Sequence, residues 1–431
     1  MPSRTLWFFG LFPALLAAQR TPLVDRQLVA AGLWAEARYN YAYWDAVRAN
    51  WDSAFAATVT YVEARPAPPD VQFLRRLRRW AALLNDGQLV IVPPPQVANR
   101  IARPPLTLRS IERRPFIMDY VANDEMRVAR PERLAEIVAV QGIPAAQWIR
   151  DSVLPEVSAP TDATRWERAV AQMLDGERGT ALHLLLRPPG GVERGASVTR
   201  SLALTTRSAL DRPALETDTL PDGVIWMRIN SLADPEIRNL FDRGLGDAPR
   251  EGPRHRGLIL DLRETAWTPH ENNEGDTILA RLIDRPFLTT RHRTPLYGLD
   301  SVSWRGAPPD TIWPPARRDR IAYSGPVVLL CSPRTAGAAE DFVVAFRAGA
   351  RGPVIGGTTA GTAGQTAVLP LALGWRVRLT VSRAAFPDGK EFVGTGIAPD
   401  IAVDVRVEDV LAGRDAVLER ARTFLSETAR R

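Results

Sequence analysis

Apolar residues recur at two spacings along this chain, and each change of spacing marks a change of element. Trp34, Ala37, Tyr41, Trp44, Val47, Trp51 and Phe55 follow steps of three and four, so residues 22–100 are predicted to be mostly helical around an aromatic stripe. Residues 71–84 repeat that pattern with an Arg-rich outer face. Asn85-Asp86-Gly87-Gln88 then reads as a turn and Leu89-Val90-Ile91-Val92 as a strand. The proline clusters between 93 and 105 read as a linker. Residues 106–210 carry short strand patterns, helices around 144–153 and 164–174, and a strand over 180–186. His183 on that apolar strand is better explained as a packed or surface residue than as a ligand.

Longer alternation of strands and helices begins near residue 220. Val224-Ile225-Trp226-Met227-Arg228-Ile229 is a strand, and 234–244 a helix with Asp234 as its cap and Pro235 in its first turn. Leu258-Ile259-Leu260-Asp261-Leu262-Arg263 reads as buried, and 296–320 as an irregular excursion. Val327-Val328-Leu329-Leu330-Cys331 is a second buried strand, broken by Ser332-Pro333-Arg334. Small residues from Thr335, the acids Glu340 and Asp341, and Phe342 with Phe346 then give a helix. A strand–turn–helix of this kind offers free N–H groups to an anion at the helix start. Strand patterns at 354–357 and 375–383 and an amphipathic helix over 409–423 complete a mixed α/β arrangement.

Thr335-Ala336-Gly337-Ala338-Ala339-Glu340 resembles the nucleophile motif of the tail-specific (C-terminal processing) serine peptidases, the family of the tricorn protease core. Val354-Ile355-Gly356-Gly357-Thr358-Thr359-Ala360-Gly361, Pro387-Asp388-Gly389 and Gly396-Ile397-Ala398-Pro399-Asp400-Ile401 match that family in order and approximate spacing. The resemblance implies a crotonase-like spiral α/β core over 220–425 and an N-terminal helical domain over 22–100. Between them it implies a PDZ-like or plain β-rich module over 106–210, where Gln141-Gly142-Ile143-Pro144 resembles a PDZ turn. It also implies where catalytic groups would stand. The nucleophile position holds Gly337, the general-base position after Asp86-Gly87 holds Gln88, and the orienting position holds Val393. Ala338, Glu264 and Thr265 occupy oxyanion and cleft positions, and the family's Gly-rich oxyanion turn is replaced by Glu264-Thr265-Ala266-Trp267-Thr268-Pro269-His270.

Glycine has no attacking group, and glutamine does not accept a proton at neutral pH. Loss of a nucleophile alone typically costs about six orders of magnitude in turnover. The family's alternative Ser–Lys arrangement places its lysine in the glycine-rich segment after the central helix; here Gly361-Thr362-Ala363-Gly364-Gln365 holds none, and Lys390, the only lysine of the chain, sits in a turn. The expectation is a degenerate peptidase that binds peptide or protein segments without cutting them. Two rivals stay open. Ser332 or Thr335, with His270 or Glu391, could rebuild a catalytic site, or the cleft could carry a small apolar ligand, as a retinoid-binding branch of the family suggests.

Composition adds the compartment. Leu6 to Ala18 is a short apolar stretch behind Arg4, read as a signal peptide over 1–18, so an exported protein, periplasmic or extracellular, is expected, without a stable membrane span after cleavage. The net charge is +6, but the arginines are dispersed and show no aromatic–basic interleaving, so nucleic acid is not an expected partner. No two of the four histidines share one element at ligand spacing, and neither a metal nor another cofactor is expected. Cys331 is the single cysteine, which excludes intrachain disulfides.

Overall fold

The computed structural model describes residues 22–121, 130–204, 212–246, 257–265, 273–297, 301–306, 308–314 and 323–428. The proposed signal peptide lies outside them. Three helices come first, Pro22–Asn40, Trp51–Val62 and Asp70–Ala81. Asn50 starts the second by accepting the Ser53 N–H at 2.9 Å. Their apolar stripes meet in one cluster that includes Leu33, Trp51, Phe73, Leu77 and Trp80. The helices do not close this core alone. Val90–Val92 pairs antiparallel with Arg376–Thr380, which brings Leu371, Trp375, Val377 and Leu379 into the same cluster.

Residues 93–105 are not a linker. Pro95–Ala98 is a helical turn with proline at its first position, and Ile101–Arg103 pairs with both Leu202–Ala203 and Gly176–Glu177. Val97, Ile101 and Ala102 are buried there, and the burial of these three residues fixes the segment. Beyond it, Leu106–Ile111, Arg114–Tyr120, Glu136–Val140, Ala181–Arg187 and Arg194–Thr199 form an antiparallel sheet. Gln141 and Gly142 both have positive φ, 53° and 77°, which suits the tight turn that returns the chain at Ile143–Pro144. Leu182, Leu184 and Leu186 face inward from their strand while His183 is exposed. The helix Asp162–Gln172 covers the sheet through Trp166, Ala169 and Val170. It begins earlier than predicted because the Thr161 hydroxyl accepts the Thr164 N–H at 3.2 Å.

A second six-stranded sheet runs in the order Leu215–Thr219, Val224–Ile229, Gly257–Asp261, Val327–Cys331, Val354–Gly356, Ile401–Ala402. Every pairing after the first is parallel. Leu258, Leu260 and Leu329 face the helices Ile237–Leu245, Gly275–Leu282 and Ala338–Ala348. Ile259, Val328 and Leu330 face Ala416–Thr428. Both faces are covered, which is why Gly257–Asp261 and Val327–Cys331 are apolar but for Asp261.

Three local expectations differ. The helix predicted from 234 starts at Ile237, because the Asp234 carboxylate accepts the Glu236 N–H at 2.8 Å and closes a turn ahead of it. The closing helix is two pieces, Val407–Leu411 and Ala416–Thr428, parted at Gly413 with φ 70°. Part of the expected excursion is a hairpin, Arg291–Tyr297 with Val302–Gly306, where Trp304 stacks on Arg293 and Arg383. No described helix is long and apolar enough to cross a membrane.

Candidate active site

The strand Val327–Cys331 lies wholly buried at the sheet centre and delivers the chain into the turn before the helix Ala338–Ala348. Two hydroxyls shape that turn. Thr335, fully buried, donates to the Leu262 carbonyl at 2.9 Å and accepts the Ser332 N–H at 3.0 Å. Ser332 donates to the Arg263 carbonyl at 2.9 Å and accepts the Arg334 N–H at 3.1 Å. Both are thus spent on holding this turn to the end of the neighbouring strand. Gly337 follows at φ 62° and ψ −127°, a backbone state that glycine adopts far more readily than other residues. Ala338 opens the helix and is buried.

Gly337, Gln88 and Val393 all sit against one loop, Gly361 to Gly364. The Gly337 N–H donates to the Thr362 carbonyl at 3.1 Å. On the other side of Thr362 lies Gly87, so close that a Cβ there would fall 2.2 Å from the Thr362 hydroxyl oxygen. Gln88 is buried, and its amide donates to the Gly364 carbonyl at 2.9 Å and to the Thr380 hydroxyl at 3.1 Å. Asp86 fixes the turn, accepting the N–H groups of Gln88 and Thr380, each at 2.9 Å, and the Thr380 hydroxyl at 2.7 Å. Burial nonetheless raises its carboxyl above the usual carboxylate range. Val393 packs between the two largest apolar clusters, and the Gly394 N–H beside it donates to the Gly361 carbonyl at 3.0 Å.

Glu340, in the first turn of the central helix, ties that helix to the same loop. It is fully buried and accepts the Thr359 hydroxyl and the N–H groups of Gly361 and Thr362, at 2.8 and 2.7 Å. Burial pushes its carboxyl up to about 7. Sequence reasoning read Glu340 as one of two acids at a helix start and missed this role; its only local signal was an acid among small residues.

In the turn that the resemblance sets at the oxyanion position, Thr265 is buried and donates to the Ile229 carbonyl at 2.6 Å. Glu264 is held by both Arg109 and Arg334, and Glu167 lies 3.4 Å from Arg334. Burial and the neighbouring Arg334 charge lower Arg109 to about 10. This four-charge cluster joins the inserted module to the turn beside Gly337, and sequence reasoning missed it. A cavity of about 500 Å³ adjoins it, walled by Leu106, Leu108 and Leu204 on one side and Arg334, Ala336 and Ala360 on the other. His270 and Trp267 fall outside the described residues. Glu391 is engaged by Arg293 and, at 3.5 Å, by Arg383.

Residues 228–403 match peptidase family S41. The core of this chain belongs to that family. Solved structures match nearly the whole chain, the helical and β-rich parts included. Mature CPAF complexed with lactacystin aligns with a TM-score of 0.70 at 15% identity, covering 94% of this chain and 98% of that one. The photosystem II D1 C-terminal processing protease aligns with a TM-score of 0.51 at 18% identity, covering 91% and 98%. Likeness at such identities is likeness of fold. Among curated proteins, none matches by sequence. The expectation of a mixed α/β core with N-terminal helices and a β-rich insert therefore holds.

Proposed function

We propose that this chain is an exported S41-family protein that has lost peptide-bond hydrolysis and binds peptide or protein segments between its inserted module and its core. One observation carries the reading: the elbow that would present an attacking oxygen is occupied by Gly337, which has none. Other observations support it. Gln88 offers an amide where a base is needed, and the nearby hydroxyls of Ser332 and Thr335 are bound to backbone carbonyls. Peptide binding is the retained half of the family's activity, and the partly apolar cavity beside Gly337 suits side chains of an extended segment.

A fluorophosphonate probe tests the loss of chemistry. No labelling and no casein hydrolysis are expected; labelling that disappears in Ser332→Ala or Thr335→Ala would overturn the proposal in favour of a rebuilt site. Fluorescence anisotropy with labelled casein peptides tests binding, which should saturate and weaken when Ala336→Trp fills the cavity. Cleavage after Ala18, read by mass spectrometry of the exported protein, tests the compartment.

A further inference from the structure

A second, larger cavity lies away from Gly337. It has a volume of about 690 Å³ and opens where the third N-terminal helix, Asp70–Ala81, meets the inserted module. Six arginines and three carboxylates contribute to its wall. Two of the carboxylates are already neutralised: Glu156 by Arg75 at 2.7 Å and Arg79 at 3.3 Å, and Glu177 by Arg100 at 3.0 Å. Asp175 is not. Its Oδ1 is buried without a hydrogen-bond partner, and the nearest cation, Arg103, stays 3.8 Å away.

The charges of Arg78, Arg103 and Arg200 all act on Asp175. Arg200 is fixed by donating to the Leu174 carbonyl at 2.8 Å and the Thr180 hydroxyl at 2.7 Å. Its guanidinium lies over Gly176, where a Cβ would fall 2.6 Å from Cζ. The Arg78 side chain makes no hydrogen bond or ion pair among the described residues. Three guanidiniums therefore face one carboxylate, leaving two positive charges unbalanced in a recess. Burial lowers both Arg78 and Arg200 from the usual guanidinium range, and burial raises Asp175 to about 6. Recessed charge without a counter-charge is unfavourable, and an anion of matching charge would remove that cost. Leu74, Val153, Val157 and Met173 add an apolar wall for an organic body.

We propose that this cavity binds a small dianion, a phosphate monoester or a dicarboxylate, with its charged end on Arg78, Arg103 and Arg200. The site is distinct from the peptide cleft, although the two cavities share Arg103, Arg168 and Leu204 on their common wall. Oxygen pairs of either ligand class match the planar forks of guanidinium groups.

Calorimetric titration of the whole protein with inorganic phosphate and, separately, with succinate tests this at pH 7.5, with ionic strength held constant by sodium chloride. One saturable site per chain is expected. Arg78→Gln and Arg103→Gln should each weaken binding about tenfold, as for loss of one charged hydrogen bond, while Arg194→Gln on the module surface changes nothing. Asp175→Asn should strengthen binding, because it removes the carboxylate that competes for the same cations; a misfolded variant would not gain affinity. Phosphate binding without succinate assigns the phosphoryl class, and the reverse assigns carboxylates. Heat with neither anion, affinity unchanged in both arginine variants, or no gain in Asp175→Asn would overturn the proposal.

Discussion

Gly337 holds a backbone state that few other residues adopt. Its φ of 62° and ψ of −127° place it where a side chain strains the main chain, as at the sharp strand-to-helix elbow of α/β-hydrolases. Gly337→Ser should therefore lower stability by roughly 1–3 kcal/mol in urea denaturation. By itself it should restore no casein hydrolysis, since Gln88 still accepts no proton. An unchanged urea midpoint would show that the elbow is relaxed for any residue. Glu340, three residues on, gives a second expectation. Its folded-state carboxyl titrates near 7, above the usual value, because burial disfavours the charge. A raised value means the folded chain binds the proton more tightly than the unfolded chain. The stability this adds is present below about 4.5 and disappears as pH rises through 7. From pH 4.5 to 8 wild type should thus lose roughly 3 kcal/mol that Glu340→Gln does not lose. Parallel pH profiles for the two proteins would refute the assignment.

Among elements, one link between module and core is electrostatic. Arg109 on the first module strand and Arg334 before the central helix share Glu264, whose side chain is 12% exposed. Glu264→Ala would leave two guanidiniums facing each other without their carboxylate. The loss should be about 2 kcal/mol, more than an exposed pair and less than a fully buried one. Hydrogen exchange should quicken in Leu106–Ile111 and the 332–336 turn, while an Arg194→Ala variant on the module surface stays within about 0.5 kcal/mol of wild type. Equal stability of the two variants would mean the cluster holds nothing together. This contrast also explains what was legible in the sequence. The strand–turn–helix around Gly337 was readable because its signals are contiguous: an apolar run, breakers, then small residues and two acids. The helix at Ile237 was misplaced because Asp234 makes a turn with the same residue types that make a cap. The Arg109–Glu264 pair spans 155 positions and leaves no periodic trace. The gathering of Gly337, Gln88 and Val393 on one loop had no local signal either, and only the family resemblance suggested it.

At the scale of the whole chain, the N-terminal helices and the S41 core are one folding problem. Strand Val90–Val92 is completed by Arg376–Thr380, almost three hundred residues later in sequence order, and one apolar cluster takes side chains from both. Asp86 and Gln88 add buried polar bonds to Thr380 and Gly364 across the same boundary. A chain beginning at Leu106 would expose Trp375, Val377 and Leu379 and strand the polar groups that Asp86 and Gln88 satisfy. Each fully exposed large apolar side chain forfeits about 1.5–3 kcal/mol, and each orphaned buried polar group about 1–3 kcal/mol, so a few such losses approach the total stability of an ordinary domain. The truncated chain should therefore fail to give a folded monomer by gel filtration and circular dichroism. In calorimetry of the full protein the N-terminal helices should melt together with the core in one transition. A soluble, cooperatively folding 106–428 fragment, or an early separate transition assigned to the helices, would show that the shared cluster is dispensable and that the core folds without its N-terminal partner.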